Sequence, residues 1–467
     1  VSQGEAARIR NSGLQLLILN SDLASFYNAR LRSGARTPFA AANMGGFYTF
    51  SGVLQKLNDL RRKYKGLISE PVSIGTSIEG RPIVAVKISD NVDADELDEP
   101  EALYTALHHS REPESLMCVM YFIEKLLEGY HRDPEITYIV DHRQLWFVPV
   151  VNPDGYVYNE QTNPGGGGLW RKNRRDNGDG TVGVDLNRNY GYKWAFDDLG
   201  SSPFGEDEAF RGAAPFSEPE TQALRDFVTQ RRFGTTLNYH SYKNAILYPW
   251  SYQSGGSPQQ AVFRDLSHYM SRINEYATGT SWQILQYTAN GEATDWLYAP
   301  LRDKQRIFSM TSEVGTKEDG FWPAPDRMLP LARENYASNL SLAWMAGGYP
   351  VVQAWRVEAY PGGGTTGIQP GGAYRLFLTL RNLGTGASVR GVTVRLKSPT
   401  SGATVASETA SFGTMDPLRI RTRSSQLVRI SLRVTTGQKV PLVLWIESNG
   451  VVLRKENITL TIGGNPS

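Results

Sequence analysis

The spacing of apolar and polar residues divides the 467-residue chain into three stretches of different texture. Residues 1 to about 45 hold two short amphipathic-looking stretches around the apolar run Leu16 to Leu19, then an Ala-rich connector. From about 46 to 348, short apolar runs such as Ala102 to Leu107 and Leu145 to Val151 alternate with helical periodicity at Glu114 to Leu127, Glu218 to Arg231 and Met328 to Met345. Runs apolar at every position, rather than at every second one, predict strands buried on both faces. Set between helices, they predict an α/β domain. After Gly347-Gly348-Tyr349-Pro350 the period changes to two, as in Tyr374 to Leu380, Val392 to Leu396 and Leu427 to Val434, with Gly, Ser, Asn and Pro between the runs. That pattern predicts an all-β sandwich. The expected organisation is an N-terminal extension (1–45), an α/β domain (46–348) and a β-sandwich (349–467).

Composition narrows the function classes. Hydrophobic residues at 40% and charged residues at 21% describe a globular chain able to bury a large core. The formal net charge of +2 gives no overall footprint for nucleic acid or an anionic membrane. No apolar run approaches 18 residues, so no transmembrane segment is expected. The start at Val1 fits a processed or trimmed chain. The lone cysteine, Cys118, lies in the apolar stretch Leu116 to Tyr121 and reads as a buried, inert thiol.

Candidate chemistry begins at Leu107-His108-His109-Ser110-Arg111-Glu112-Pro113, which carries an H-x-x-E pair. Zinc favours imidazole nitrogen and carboxylate oxygen, and three protein ligands leave a fourth position for water. A spacing of three can bring His109 and Glu112 to one side of a tight turn or helix start. The pair follows a strand-like run and precedes a helical one, at the strand end where open α/β sheets bind ligands. Far downstream, Thr236-Leu237-Asn238-Tyr239-His240 delivers another histidine to the end of a strand. His131, His142 and His268 read as surface or packing residues.

At these residues the chain resembles the carboxypeptidase A family of zinc carboxypeptidases, most closely its carboxypeptidase T members. The resemblance covers about residues 46 to 346. It runs through Ile74-Gly75, Glu79-Gly80-Arg81, Leu103 to His109, Asn152-Pro153-Asp154-Gly155 and Trp170-Arg171-Lys172-Asn173-Arg174. It continues through Val184 to Tyr190, Phe216-Ser217-Glu218-Pro219-Glu220, His240-Ser241-Tyr242, Tyr248-Pro249, Tyr287, Asp295-Trp296 and Glu313.

The resemblance implies an α/β fold with a mixed parallel/antiparallel sheet flanked by helices, and a zinc-dependent exopeptidase that removes the last residue of peptides or proteins. His109, Glu112 and His240 would hold one zinc ion, and Asp185 would hydrogen-bond the first ligand histidine. Glu313 would be the general base and Arg171 the oxyanion-stabilising arginine. Asn187, Arg188 and Tyr287 would grip the terminal carboxylate, with Arg111 an auxiliary arginine in the groove. Thr294 falls where the family shapes the pocket for the departing side chain. With Glu292 two residues earlier, it implies acceptance of both apolar and basic ends.

The acidic run Asp93 to Glu101 resembles a calcium-binding run of the family with one extra residue, and two readings stand, a calcium site or a solvated loop. Residues 1–45 read equally as a structural extension or as a remnant of an activation segment. The resemblance further implies a secreted or periplasmic monomer. The alternatives are a related amidase acting on cell-wall peptides and an inactive binding protein.

Overall fold

A computed structural model describes residues 9–13, 20, 22–31, 44–361 and 367–464, without the side chains of 424–426. The run Leu16 to Leu19 and the Ala-rich connector lie outside the described residues. The chain divides into two compact units, Val1–Arg132 with Val140–Ala343, and Asp133–Ile139 with Trp344–Ser467.

The first unit is built on an eight-stranded sheet. Its strands are β1 (Val72–Thr76), β2 (Pro82–Ile88), β3 (Glu101–Thr105), β4 (Gln144–Val148), β5 (Phe233–His240), β6 (Ala245–Leu247), β7 (Ala277–Gly279) and β8 (Phe308–Glu313), in the order β1-β2-β4-β3-β5-β8-β6-β7. The central four, β4-β3-β5-β8, are parallel throughout, the pairs β1-β2, β2-β4 and β8-β6 are antiparallel, and β6-β7 is parallel. Every residue of β3 and β4 is buried, which is why Ala102 to Tyr104 and Leu145 to Val148 are apolar at successive positions. One face packs Ile83, Leu103, Trp146 and Val148 against Leu224 and Val228 of the helix Pro219–Thr229 and Trp296 and Leu297 of the helix Ala293–Tyr298. The sheet therefore carries the C-terminal ends of β3, β5 and β8 to one edge, in the expected mixed architecture.

The helical stretch expected from Met328 to Met345 is two helices, Pro325–Glu334 and Tyr336–Ala346. They part at Asn335, whose amide donates to the Leu331 carbonyl and the Tyr276 hydroxyl while its Oδ1 accepts from Ser312. A buried asparagine spent on these partners interrupts a pattern that periodicity alone reads as continuous.

The described N-terminal helix, Leu23–Leu31, belongs to the first unit. Arg30 donates to the carbonyls of Glu318, Asp319 and Trp322, and the Phe321 amide donates to the Tyr27 hydroxyl.

The second unit holds two four-stranded antiparallel sheets. With β9 (Pro350–Ala359), β10 (Ala373–Asn382), β11 (Val389–Lys397), β12 (Ala403–Ser407), β13 (Thr409–Met415), β14 (Ile420–Ile430), β15 (Lys439–Ser448) and β16 (Val451–Thr461), the orders are β12-β14-β10-β9 and β13-β11-β15-β16. Burial alternates along β10, β11 and β15, so each sheet buries one face, with Leu376, Leu378, Val394, Leu444 and Ile446 in the core.

Candidate active site and metal centre

His109 and Glu112 reach the sheet edge through a tight turn. The chain leaves β3 at Thr105, and Leu107 takes a left-handed conformation (φ 55°), a strained choice for a leucine that turns the following histidines toward the edge. Pro113 then starts the helix Pro113–Gly129, its fixed φ suiting the first position. Glu112 occupies the N-cap of this helix, yet its carboxylate makes no capping bond. It faces the histidines instead: His109 Nδ1 lies 2.9 Å from Oε1 and His240 Nδ1 lies 3.0 Å from Oε2. The two Nδ1 atoms are 3.0 Å apart. Donor atoms on a tetrahedral zinc at ~2.0–2.1 Å stand ~3.3 Å from one another, so this crowded set of two imidazoles and one carboxylate fits the ion. His109 Nε2 is 3.1 Å from Asp185 Oδ1, which fixes the ring and leaves Nδ1 as the ligand atom.

Charges oppose burial throughout. Burial raises the Glu112 carboxyl, but His109 and His240 outweigh it and hold it well below the usual range. Asp185, fully buried, is likewise held well below by Arg171, His109 and Arg188. Burial pushes His240 down against the pull of Glu112. Glu313 behaves oppositely: burial, then the charges of Glu112 and Glu292, push it well above the usual carboxyl range. Its strand register sets it beside His240, at the adjoining strand end. A divalent cation among these groups acts in the reverse sense, favouring the ionised form.

The cleft over the triad has a volume of about 360 Å³ and is lined by Arg111, Arg171, Asn187, Arg188, Tyr287, Glu292 and Glu313 among others. Arg171 donates through Nε and Nη2 to Asp185 Oδ2 at 3.0 and 2.8 Å, leaving Nη1 toward the cleft, 3.8 Å from Glu112. Although burial works against its charge, Asp185 and Glu112 keep this guanidinium fully protonated. Arg188 is 7% exposed, donates to the Asn187 carbonyl at 2.8 Å, and has no carboxylate partner among the described residues. Asn187 Oδ1 accepts from the Ala293 amide, which turns its Nδ2 into the cleft, 3.4 Å from Glu292 Oε1. The Tyr287 ring is half exposed, while burial of its hydroxyl end and the charge of Glu313 push it up to about 12.

Two expected pocket residues part company. Glu292 lines the cleft, and its Oε2 is buried without a partner. Thr294 lies behind the lining, hydrogen-bonded to Thr311 at 2.6 Å and Asn238 at 3.0 Å. Arg111 is in the groove, paired with Glu208 at 2.8 Å and lying over the Phe321 ring at 4.4 Å. Neither Glu208 nor Phe321 stood out in the sequence, because both sit on loops with no periodicity.

Several quoted motifs support the site from behind. Glu218 accepts from Arg175 and Asn173, pinning the segment that carries Arg171. Asp154 accepts from Ser77, Arg81 and the Glu79 amide. Of the acidic run, Glu96 and Glu99 approach each other and Asp90, and burial with this crowding pushes Glu99 up to about 7. Asp95 and Glu101 are instead paired with Arg231. Cys118 is buried, and burial raises its thiol well above the ordinary value.

Fold and site together define an α/β protein whose strand ends present a three-donor metal centre to an open cleft. The zinc carboxypeptidase family model matches residues 53–338. A zinc carboxypeptidase of Saccharothrix mutabilis subsp. capreolus is 32% identical over 320 residues, covering 64% of this chain and 71% of the relative. Carboxypeptidase A4 of Mus musculus is 28% identical over 344 residues, covering 72% and 77%. The crystal structure of carboxypeptidase A from Helicoverpa armigera superposes with a TM-score of 0.61 at 26% identity, covering 73% of this chain and 85% of that one. The chain belongs to the zinc carboxypeptidase family and is a metallocarboxypeptidase, a hydrolase that uses one zinc ion. No helix among the described residues is long and apolar enough to cross a membrane.

Proposed function

We propose that the enzyme removes single residues from free peptide C-termini, with Arg188 reading the terminal carboxylate and Glu313 acting as general base. One observation carries the exopeptidase reading: a guanidinium at Arg188, almost wholly buried, lines the cleft beside the metal triad and makes no salt bridge to a carboxylate among the described residues. A planar fork in that state suits a bidentate carboxylate, with Asn187 and Tyr287 adding donors.

His109, Glu112 and His240 would hold the zinc ion, which would supply a Lewis acid able to polarise the scissile carbonyl and make water a nucleophile near neutral pH. Glu313 takes the proton from the attacking water as the new carbon–oxygen bond forms. It then passes that proton to the leaving amine nitrogen as the carbon–nitrogen bond breaks. Nη1 of Arg171 faces the negative charge that develops on the carbonyl oxygen, while its other nitrogens stay tied to Asp185. Arg111, held by Glu208, is the auxiliary cation on the upstream side.

For the departing side chain, Leu247, Leu285 and Ala289 offer apolar contact, and Glu292 offers a buried, unpartnered oxygen. This supports acceptance of both apolar and basic ends. Thr294 would act behind the lining, through Asn238 and Thr311. We further propose residues 46–348 as the catalytic domain, 349–467 as a separate domain, and a secreted or periplasmic location. Peptides identical except for a free or amidated C-terminus test the reading: release from the acid alone supports it, and equal release from both overturns it. Cleavage of murein peptides but not of simple peptide acids would favour the amidase alternative.

A further inference from the structure

The formal charge of +2 averages two unlike parts. Residues 351–467 carry 14 Lys and Arg against 5 Asp and Glu, a net of +9, whereas the other 350 residues carry 35 against 42, a net of −7. Such an asymmetry is unnecessary for folding a β-unit, and it matters for what the unit meets in solution.

The cations have a defined setting on the sheet β13-β11-β15-β16. Register places Arg395 of β11 opposite Trp445 of β15, and Trp445 opposite Lys455 of β16, on the face away from the core. Lys397 lies two residues along β11 from Arg395. The Arg395 guanidinium and the Lys397 and Lys455 ammonium groups stand 5.2, 4.5 and 4.1 Å from the Trp445 ring centroid. Cation–π attraction therefore gathers three positive charges around one indole instead of letting them spread. The one acid of β11 and β15, Glu447, is paired with Arg395. Lys397 and Lys455 are exposed, and neither has a carboxylate partner among the described residues.

Around the cations the face presents short polar side chains, with Thr393 on β11 and Asn457 and Thr459 on β16. The backbone positions of these cations are ~10 Å apart on alternate strands and ~7 Å apart at i and i+2. This spacing is sparser than the phosphates of a nucleic-acid strand, which recur every ~3.4 Å. The indole is engaged by three cations, and the aliphatic side chains near them are single and separate, Val443 between Lys397 and Asn457 and Val451 at the start of β16, which is too little for insertion into a lipid layer. A small group of positive charges flanked by hydroxyl and amide groups suits a hydroxyl-rich chain bearing one acidic group per sugar or pair of sugars.

We propose that this face of the C-terminal unit binds an acidic polysaccharide, holding the peptidase on a carboxylated or sulfated polymer. The test uses the full chain, with heparin as the probe, and duplex DNA and vesicles of phosphatidylcholine and phosphatidylserine as competing surfaces. The double variant Lys397→Gln/Lys455→Gln removes two exposed cations remote in sequence from every residue assigned to the peptidase site. Arg433→Gln, an exposed cation outside these strands, is the matched control.

Heparin binding is expected to weaken about tenfold in the double variant, with the slope of log affinity against log salt falling by about 1.5. It should change less than twofold in the control, and hydrolysis of a small peptide should be unchanged in all three proteins. Absence of heparin binding by the wild type, an equal loss in the control, or tighter binding to DNA or vesicles than to heparin would each overturn the proposal.

Discussion

Replacing Arg188 by glutamine gives the sharpest test of how the cleft recognises a chain end. The guanidinium is 7% exposed, lines the cleft, and among the described residues has one hydrogen bond, to the Asn187 carbonyl, with Nε left unpartnered. Glutamine keeps polarity and some volume but removes the charge and the fork. A substrate carboxylate would then be desolvated against Asn187 and Tyr287 with no cation. Truncating one partner of a buried, hydrogen-bonded charge pair costs about 2–5 kcal/mol. At 1.4 kcal/mol per tenfold, kcat/KM for a peptide acid should fall roughly 30- to 4,000-fold. The matched peptide amide has no carboxylate to lose, so its slow hydrolysis should hardly change, and the wild-type preference for the acid should nearly vanish. Arg188→Lys should restore part of the preference, since it returns charge without the planar fork. Steady-state kinetics on the acid and amide pair, with zinc content measured in each variant, separates recognition from damage to the metal site. Equal losses on acid and amide, at full zinc occupancy, would refute the reasoning.

Three further outcomes follow from the same geometry. Glu292→Gln should lower kcat/KM for peptides ending in Arg or Lys by about tenfold relative to those ending in Phe or Leu, because only basic ends use the buried Oε2; an unchanged ratio means this oxygen plays no part. Asp185→Asn should weaken zinc binding about 10- to 100-fold, read by competition with a chelator, since Oδ1 orients the His109 ring. Glu220, held at about 7 by burial, binds its proton more tightly folded than at its ordinary 4.5, so its own contribution to stability should be fully present below about pH 4.5 and decline by about 3 kcal/mol as pH rises to 7. Denaturant midpoints of Glu220→Gln should lose that slope.

The triad was legible because two of its ligands share one turn and all three follow strand-like runs that end at the same sheet edge. Burial on both faces of β3 and β4 wrote those strands as unbroken apolar runs, and the change to period two after Pro350 marked the antiparallel unit. Periodicity failed at Asn335, where side-chain hydrogen bonds override helical spacing. It was silent on Glu208 and Phe321, whose loops reach the cleft only through tertiary contacts. Thr294 shows a further limit. Position relative to Tyr287 marked it as a pocket residue, whereas the hydroxyl bonds to Thr311 and lies behind the cleft lining.

The most direct test of zinc-dependent removal of C-terminal residues with Glu313 as base compares wild type and Glu313→Gln on peptides varying only in the last residue. Released amino acids are read by mass spectrometry, with and without a zinc chelator. The wild type should release one residue at a time from free ends, stop with chelator, and resume when zinc is restored. Glu313→Gln should bind zinc in full yet turn over about 10²- to 10⁴-fold more slowly. Activity indifferent to the chelator, or a zinc-loaded Glu313→Gln enzyme within tenfold of wild type, would contradict the account.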